Sequence, residues 1–556
     1  MPRACLTARV AALAAVCAVG TPVAIATASA AAGMPASTTL AESAAPGNAD
    51  NPGVGAVSGI ESKIIPLSSV PDGTASPTTT LSGPIVRTPA SERATVRAGG
   101  TAAVAATSTA QGFLGIATEI DTIPDLSGSV ADPDTPLLHL LRNLSPGAPL
   151  LLRLGGTSGD DSWWPISGIK ERYLYTLTPR WGADVRGLLT ALGAKAILGV
   201  TLKVDPKINA KIASAEVADF DRYVGASLID DFELGNEPEF YPLDVVTGRV
   251  RGHYTFADYG KKFSNVASVL GGAPLAGPGS GSPHWLPKLG TILSDMPSRL
   301  KLATVHAYAM KNCSRITHLS VSEFFARASI QGLADSIHAT VKAAAIHGKP
   351  LRVDEINGVS CGGKAGLSNS FAEALWALNV LPALWQAGVQ GVNFQTVVNS
   401  REHIQMNFNQ MITAKPSASG WSVSVEPEYY GLLTFAGAAP AGSHLLRISD
   451  PSLAHFYQFA VRAPDGSERV VLTNVGSVAR TIGVTASGTR GTGSLSLLSA
   501  KSLSATAGTT LAGQSLSSRT GQLTGTPSLT LVRPNAKGVY AVRVPAHAAA
   551  ILTLSA

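Results

Sequence analysis

Short apolar runs that end in small or polar residues recur along this chain from Gly112, and stretches of helical period separate most of them. The runs are Phe113–Ala117 leading to Glu119, Pro149–Leu154 leading to Gly155 and Gly156, Lys195–Leu202, and Ala226–Phe232 leading to Glu237. Pro274–Pro278, Leu302–Tyr308, Pro350–Glu355 and Gly391–Gln395 complete the series. Near-continuous apolar runs of this length read as strands buried on both faces. The stretches Phe324–His347 and Ser370–Ala387 carry the 3.6-residue period of helices. Eight strand–helix units over residues 110–436 predict a (β/α)8 TIM barrel, whose site lies where the strands end. A doubly wound open sheet is the alternative, but no Gly-rich dinucleotide turn follows the first strand.

Beyond Phe435 the helical period gives way to short alternating stretches. These are Phe456–Val461, Arg469–Thr473, Val539–Val544 and Ala549–Leu554, with Gly, Ser and Pro turns between them. This pattern predicts an antiparallel β-sandwich over 437–556. Leu511–Thr526 has no period that divides it into elements. Ahead of the barrel, residues 91–109 contain Glu92–Ala106, which reads as a strand joining the β domain. Residues 31–90 are rich in Ala, Ser, Thr, Pro and Gly. They cannot bury enough apolar surface to offset their ordering entropy, so a disordered linker is expected there.

Residues 1–30 have the form of a secretory signal: Arg3 and Arg9, an apolar run from Val10 to Ala26 broken by Thr21-Pro22, then Ala28-Ser29-Ala30. A secreted, extracellular protein is the expectation, with an uncleaved membrane anchor as the rival reading of residues 1–30 and no membrane span in the mature chain. The formal charge of the 556 residues is +6. The segment 1–30 takes two arginines and no acids with it, and no basic run remains, so nucleic acid is a poor partner. Cys5 and Cys17 leave with the signal, and Cys313 and Cys361 remain. In an exported chain such a pair points to one disulfide between the loops after strands six and seven, two free thiols being the alternative. No Cys/His cluster or His-Glu-x-x-His pattern suggests a metal, and no cofactor motif is present.

Glu237 and Glu355 end the fourth and seventh strands, which face each other across a barrel mouth. A converging pair of carboxyls is what glycoside hydrolysis requires, one to protonate the leaving oxygen and one to attack the anomeric carbon. Glu237, ringed by Phe232, Phe240 and neighbouring acids, is expected to hold the proton; Glu355 is the expected nucleophile. Asn236 offers a donor and an acceptor beside it. Tyr308, ending strand six, is placed to hydrogen-bond Glu355, a core aromatic being the alternative. Trp163 and Trp164 after strand two, and Trp285 after strand five, either stack on sugar rings at the mouth or pack between loops. A serine hydrolase is excluded at Gly279-Ser280-Gly281, because Pro278 and Ser282 break the Gly-x-Ser-x-Gly elbow. A non-catalytic carbohydrate-binding protein would not need the matched glutamates.

The ordered set Leu152-Arg153-Leu154-Gly155-Gly156-Thr157, Glu233-Leu234-Gly235-Asn236-Glu237-Pro238, Gly277-Pro278, Val305-His306-Ala307-Tyr308, Asp354-Glu355, Gln395 and Glu428-Tyr429-Tyr430 resembles glycoside hydrolase family 79, the β-glucuronidase and heparanase family. The resemblance spans most of the barrel. It implies a retaining two-glutamate mechanism, with Glu237 as acid/base and Glu355 as nucleophile. It also implies Asn236 on the sugar 2-hydroxyl, Glu119 on distal hydroxyls and Gln395 lining the subsite, and a β domain that takes a strand from before the barrel. The implied substrate is a uronic-acid-containing glycan or glycoside, with xylosides or arabinosides of related enzymes as the alternative. Where the family has a Tyr-Gly-Gly-Gly run gripping the sugar carboxylate, this chain has Ser360-Cys361-Gly362-Gly363. The amides of Gly362 and Gly363 are retained and the tyrosine is replaced.

Overall fold

The computed structural model describes residues 85–86, 95–103, 109 and 112–555, apart from short stretches at 170–174, 205–206, 242, 245–248, 251–253, 296–298, 314–317, 398–407, 450–452 and 487–490. The expected signal, residues 1–30, and the expected linker up to residue 84 lie outside the described residues.

Eight parallel strands close into a barrel: Leu114–Glu119, Leu151–Gly155, Lys195–Val200, Ile229–Leu234, Leu275–Ser280, Leu300–Met310, Leu351–Val359 and Gly391–Gln395. The eighth closes on the first through Val392–Leu114 to Gln395–Ala117, and the fourth meets the fifth through Phe232–Leu275. Strand four starts at Ile229 instead of Ala226, after a 3-10 turn over Ala226–Leu228, and runs on to Leu234. Apolarity alone misplaces this strand because Asp231 and Glu233 are part of it and are buried. Strand seven likewise runs on to Val359. The helical stretch expected from Phe324 breaks into 3-10 turns at Val321–Phe325 and Arg327–Ser329, followed by the helix Gln331–Ile346. No helix among the described residues is long and apolar enough to cross a membrane.

The second layer explains why helix Phe371–Gln386 is apolar on every side, with Trp376 and Trp385 fully buried. Such a helix needs cover on its outer face as well as its inner one. Segments of the C-terminal domain meet it there: Phe371 and Ala372 donate their backbone N–H groups to the carbonyls of Ala505 and Leu503, both at 2.8 Å. Residues 511–526, which the sequence does not divide, form short paired strands (Ser515–Leu516 with Leu523–Thr524) laid against the barrel. Asn143 donates to the carbonyl of Gly521 at 3.1 Å, and the Leu516 N–H donates to the Tyr430 hydroxyl at 2.9 Å.

The C-terminal domain is a mainly antiparallel β structure with its own core, including Phe456, Val470, Leu472, Val484, Tyr540, Val542 and Leu552. Strand His444–Ser449 pairs with Phe456–Arg462 through its first residues and with Thr95–Ala103 through its last, so it passes from one sheet to the other. Sandwich corners are commonly built this way. The strand from before the barrel thus belongs to this domain, antiparallel to His444–Ser449 and parallel to Arg480–Ala486. Ile85–Val86 also pairs, parallel to Thr530–Val532, so the expected linker contains a strand at its end.

Candidate active site

Three residues past strand four, the chain turns sharply. Gly235 has φ 81°, where a side chain would meet the Tyr241 hydroxyl at 2.4 Å, and Glu237 itself has φ 41°. A left-handed backbone costs a non-glycine residue about 1–2 kcal/mol and persists where its surroundings enforce it, often at functional sites. Here the Glu237 N–H donates to the carbonyl of Gly279 (2.9 Å), and the Asn236 N–H donates to Asp160 Oδ2 (2.9 Å). Asp160 also accepts from the Leu202 N–H and the Tyr241 hydroxyl, so one buried carboxyl fastens the whole turn. Burial pushes Asp160 up to about 6.

Strand seven reaches the same place by a different device. Val353 pairs with Val305, but the next pair is Glu355 with His306, so Asp354 is an extra residue between them. A bulge of this kind re-aims side chains that simple alternation would send to opposite faces. Asp354 and Glu355 consequently both join the polar cluster inside the barrel mouth.

The centre of that cluster is Arg153 of strand two, 1% exposed. Its Nε and Nη2 donate to Glu233 Oε2 at 2.9 and 2.8 Å, its Nη1 to Glu355 Oε2 at 2.8 Å, and its Nη2 to Asn236 Oδ1 at 2.7 Å. Burial by itself would lower the Arg153 pKa; Glu233, Glu355 and Asp354 more than reverse that and fix the guanidinium as a cation. Burial likewise opposes ionisation of Glu233, but Arg153 holds its carboxyl down at about 2. Asp354 goes the other way. Burial and the adjacent Glu233 charge push it up.

His306 of strand six links the two glutamates. Its Nδ1 lies 3.1 Å from Glu237 Oε1 and 3.7 Å from Glu355 Oε1. Burial disfavours the imidazolium, but the Glu355 charge, the Glu237 contact and Asp354 raise its pKa to about 10. Tyr308 donates to Glu355 Oε1 at 2.6 Å, and its oxygen lies 2.8 Å from Gln395 Oε1. Burial and the Glu355 charge keep the tyrosine protonated, as that donation requires. Glu237, His306 and Glu355 present one atom each within 4.8 Å of one another, as do Glu233, His306 and Asp354. Neither trio fits a metal ion. Arg153 already donates to Glu233 and Glu355, and a protonated His306 has no lone pair for a cation.

Of the other residues expected at the site, Asn236 and Gln395 lie within it. Glu119 is adjacent but 1% exposed, and its Oε2 accepts from the Ser158 N–H (2.8 Å) and hydroxyl (2.6 Å). Its other oxygen accepts from Gln395 Nε2 at 3.4 Å, so the carboxylate joins the loop after strand two to the site residue Gln395 and does not face open solvent. The expectation for the amides is corrected at Gly363, whose N–H donates to the Ser360 carbonyl at 3.3 Å within a turn; Gly362 beside it is half-buried. Cys313 and Cys361 form a disulfide that joins the loops after strands six and seven.

The tryptophans do not form a sugar platform. Trp164 is 2% exposed, stacked on Tyr223 with ring centres 5.2 Å apart and edge-on to Trp181 and Phe220. Trp163 is also buried, and Trp285 packs among Tyr254, Phe256 and Tyr259. Nor do Phe232 and Phe240 ring Glu237. Phe232 stacks on Phe220 behind the sheet, and Phe240 is 53% exposed. Glu239, two residues on, is pushed up to about 7 by burial and by Glu237.

The sequence matches no protein-family model and no curated protein. Solved structures match the fold. The chain is similar to a 4-O-α-L-rhamnosyl-β-D-glucuronidase from Fusarium oxysporum 12S, with 18% identity and a TM-score of 0.66 over 83% of this chain and 100% of that one. It is similar to a GH51 arabinofuranosidase from Xanthomonas axonopodis pv. citri, with 14% identity and a TM-score of 0.57 over 83% and 100%. A thermostable GH51 α-L-arabinofuranosidase from Thermotoga petrophila RKU-1 follows, with 12% identity and a TM-score of 0.58 over 83% and 100%. At these identities the likeness is one of fold.

Proposed function

We propose that this protein is a secreted retaining glycoside hydrolase of the family 79 type that releases β-linked glucuronic acid from glycans or glycosides. The observation that carries the reading is the Glu237–His306–Glu355 cluster, with facing atoms within 4.8 Å, in the turn after strand four and on strands six and seven of the barrel. Retaining enzymes hold their carboxyls about 5–5.5 Å apart, whereas inverting enzymes leave room for a water at about 6.5–9.5 Å.

In the first step Glu355, accepting hydrogen bonds from Arg153 and Tyr308, attacks the anomeric carbon. The bond to the leaving oxygen breaks as Glu237 gives that oxygen its proton. Forming the glycosyl ester removes the Glu355 charge, which is the largest influence raising the His306 pKa. The ionised Glu237 then takes a proton from water, and the resulting attack frees the sugar and restores both carboxyls.

The glucuronide preference is supported by the residues shared with the family and by the fold similarity to the Fusarium glucuronidase. A neutral sugar is the second reading. It is favoured by the Gly363 amide, which is engaged with Ser360, and by the fold similarity to arabinofuranosidases. The test is hydrolysis of p-nitrophenyl β-glucuronide, β-xyloside and α-arabinofuranoside by the mature chain, with Glu237→Gln and Glu355→Gln in parallel. Glucuronide turnover that falls at least about 10³-fold in both variants is expected. Turnover of a neutral sugar alone would move the specificity, and parent-like rates in either variant would refute the mechanism.

A further inference from the structure

Away from the glutamates, segments that follow strands eight, one and two enclose a second cleft of about 390 Å³. These three strands are neighbours in the barrel, and each contributes after its carboxyl end, so the cleft belongs to the same end of the barrel as Glu237 and Glu355. After strand eight, the hairpin Ile412–Ser417/Gly420–Val425 brings up Trp421. After strand one come Pro124, Gly128 and Asp132, and after strand two come Tyr175, Arg180 and Asp184.

The indole of Trp421 is half-buried and held in one orientation, its Nε1–H 3.1 Å from Asp132 Oδ2 and 3.2 Å from the Asp132 carbonyl. A side chain at Gly128 would meet the ring at 2.8 Å, so glycine is what admits the loop beside it. Arg180 is 82% exposed, with Nε 3.8 Å from Asp184 Oδ2, while the other oxygen of Asp184 accepts from the Val130 N–H at 3.1 Å. A fixed indole, a tyrosine and a proline offer apolar faces, and two carboxylates and a guanidinium surround them. Sugar rings present that same combination, with apolar C–H faces and hydroxyls at the rim. The volume lies within the usual range for a small-ligand site.

We propose that this cleft is a second glycan-binding site, which holds a stretch of polysaccharide on Trp421 and Tyr175 while the chain end is processed at the glutamates. The choice of ligand rests on the glycosidase reading; the site itself does not depend on catalysis.

The test uses the full mature chain with Glu355→Gln, so that ligands are not consumed. Binding of uronic-acid-bearing oligosaccharides and of neutral xylo-oligosaccharides is measured by calorimetry, with and without Trp421→Ala and Arg180→Ala. Arg180 is a surface residue, so its variant keeps the test open if Trp421→Ala folds poorly. The expected result is a loss of affinity of about tenfold for Trp421→Ala, or about 1.4 kcal/mol, and of severalfold for Arg180→Ala. On the Glu355 background, Trp421→Ala should leave p-nitrophenyl glycoside turnover within twofold of the parent. Unchanged affinity in both variants, or no binding by the parent protein, overturns the proposal. Binding that depends on Trp421 in a protein hydrolysing no glycoside would overturn the glycosidase reading and leave the cleft standing.

Discussion

Replacing Arg153 with methionine removes the guanidinium that hydrogen-bonds both Glu233 and Glu355. Methionine keeps much of the volume, so the loss is electrostatic. Three hydrogen bonds from Arg153 end on these two carboxylates, at 2.8–2.9 Å, inside a cluster where the arginine is 1% exposed. Taken singly, hydrogen bonds to charged groups contribute about 1.5–3 kcal/mol each. They are not additive, and the orphaned carboxyls will take up protons, so the measured loss should resemble that for breaking a buried pair, about 3–5 kcal/mol. The sign of the pH dependence follows from Glu233. Held down at about 2 in the parent, it contributes stability that is present above its ordinary value near 4.5 and is lost as pH falls through about 2. The variant lacks that contribution, so the gap between parent and variant should be wide at pH 7 and narrow at pH 3. Urea unfolding at both pH values measures it. Arg153→Lys should recover only part, since one ammonium cannot reproduce the planar fork. A gap below about 1 kcal/mol at pH 7, or one that widens toward pH 3, would refute this account of the cluster.

Tyr308→Phe removes the 2.6 Å hydrogen bond to Glu355 and should lower kcat by about 10- to 150-fold, with a smaller change in KM; steady-state kinetics on the preferred aryl glycoside checks it. Gly156→Ala puts a methyl 2.2–2.3 Å from the Glu119 carboxylate, at φ 73° and ψ −166°, a region almost confined to glycine. It should cost at least about 2 kcal/mol, read as a lowered Tm. Thermal stability should also fall between pH 5 and pH 8.5. Burial pushes Asp134 and Asp160 up to about 6, Glu239 to about 7, and Asp231 and Glu426 to about 8. Each binds its proton more tightly folded than unfolded, so its contribution is complete below about pH 4 and is lost as pH rises through the folded value. A calorimetric Tm that rises over this range would contradict the burial of these groups.

The barrel and its two glutamates were legible because strand ends are local: an apolar run, a turn and a carboxyl sit within a dozen residues. The cluster beneath them was not. Arg153, Glu233 and Asp354 carry a visible signal, a charge inside an otherwise apolar strand, and such a charge must find a buried partner. Which partner it finds depends on closure of the barrel, since Arg153 meets Glu233 and Glu355 from two other strands. The bulge at Asp354 is hidden for a different reason. Alternation in sequence assigns Asp354 and Glu355 to opposite faces, and only the register against strand six shows otherwise. The tryptophans misled because position after a strand does not say whether a loop folds over the mouth or back onto the helices. Trp164 follows the second course, into the layer made by Trp181 and Phe220.

The strand Thr95–Ala103 gives this chain a schedule. Its partners, His444–Ser449 and Arg480–Ala486, emerge from the ribosome only after the whole barrel has been made. At roughly 5–20 residues per second, the strand waits tens of seconds with its backbone groups unpaired. The barrel can close during that interval, but the sheet cannot. Strands synthesised after the barrel are therefore what tie down a strand made before it, and a chain released early, even one with every barrel residue present, would keep an open strand edge of the sort that recruits other chains.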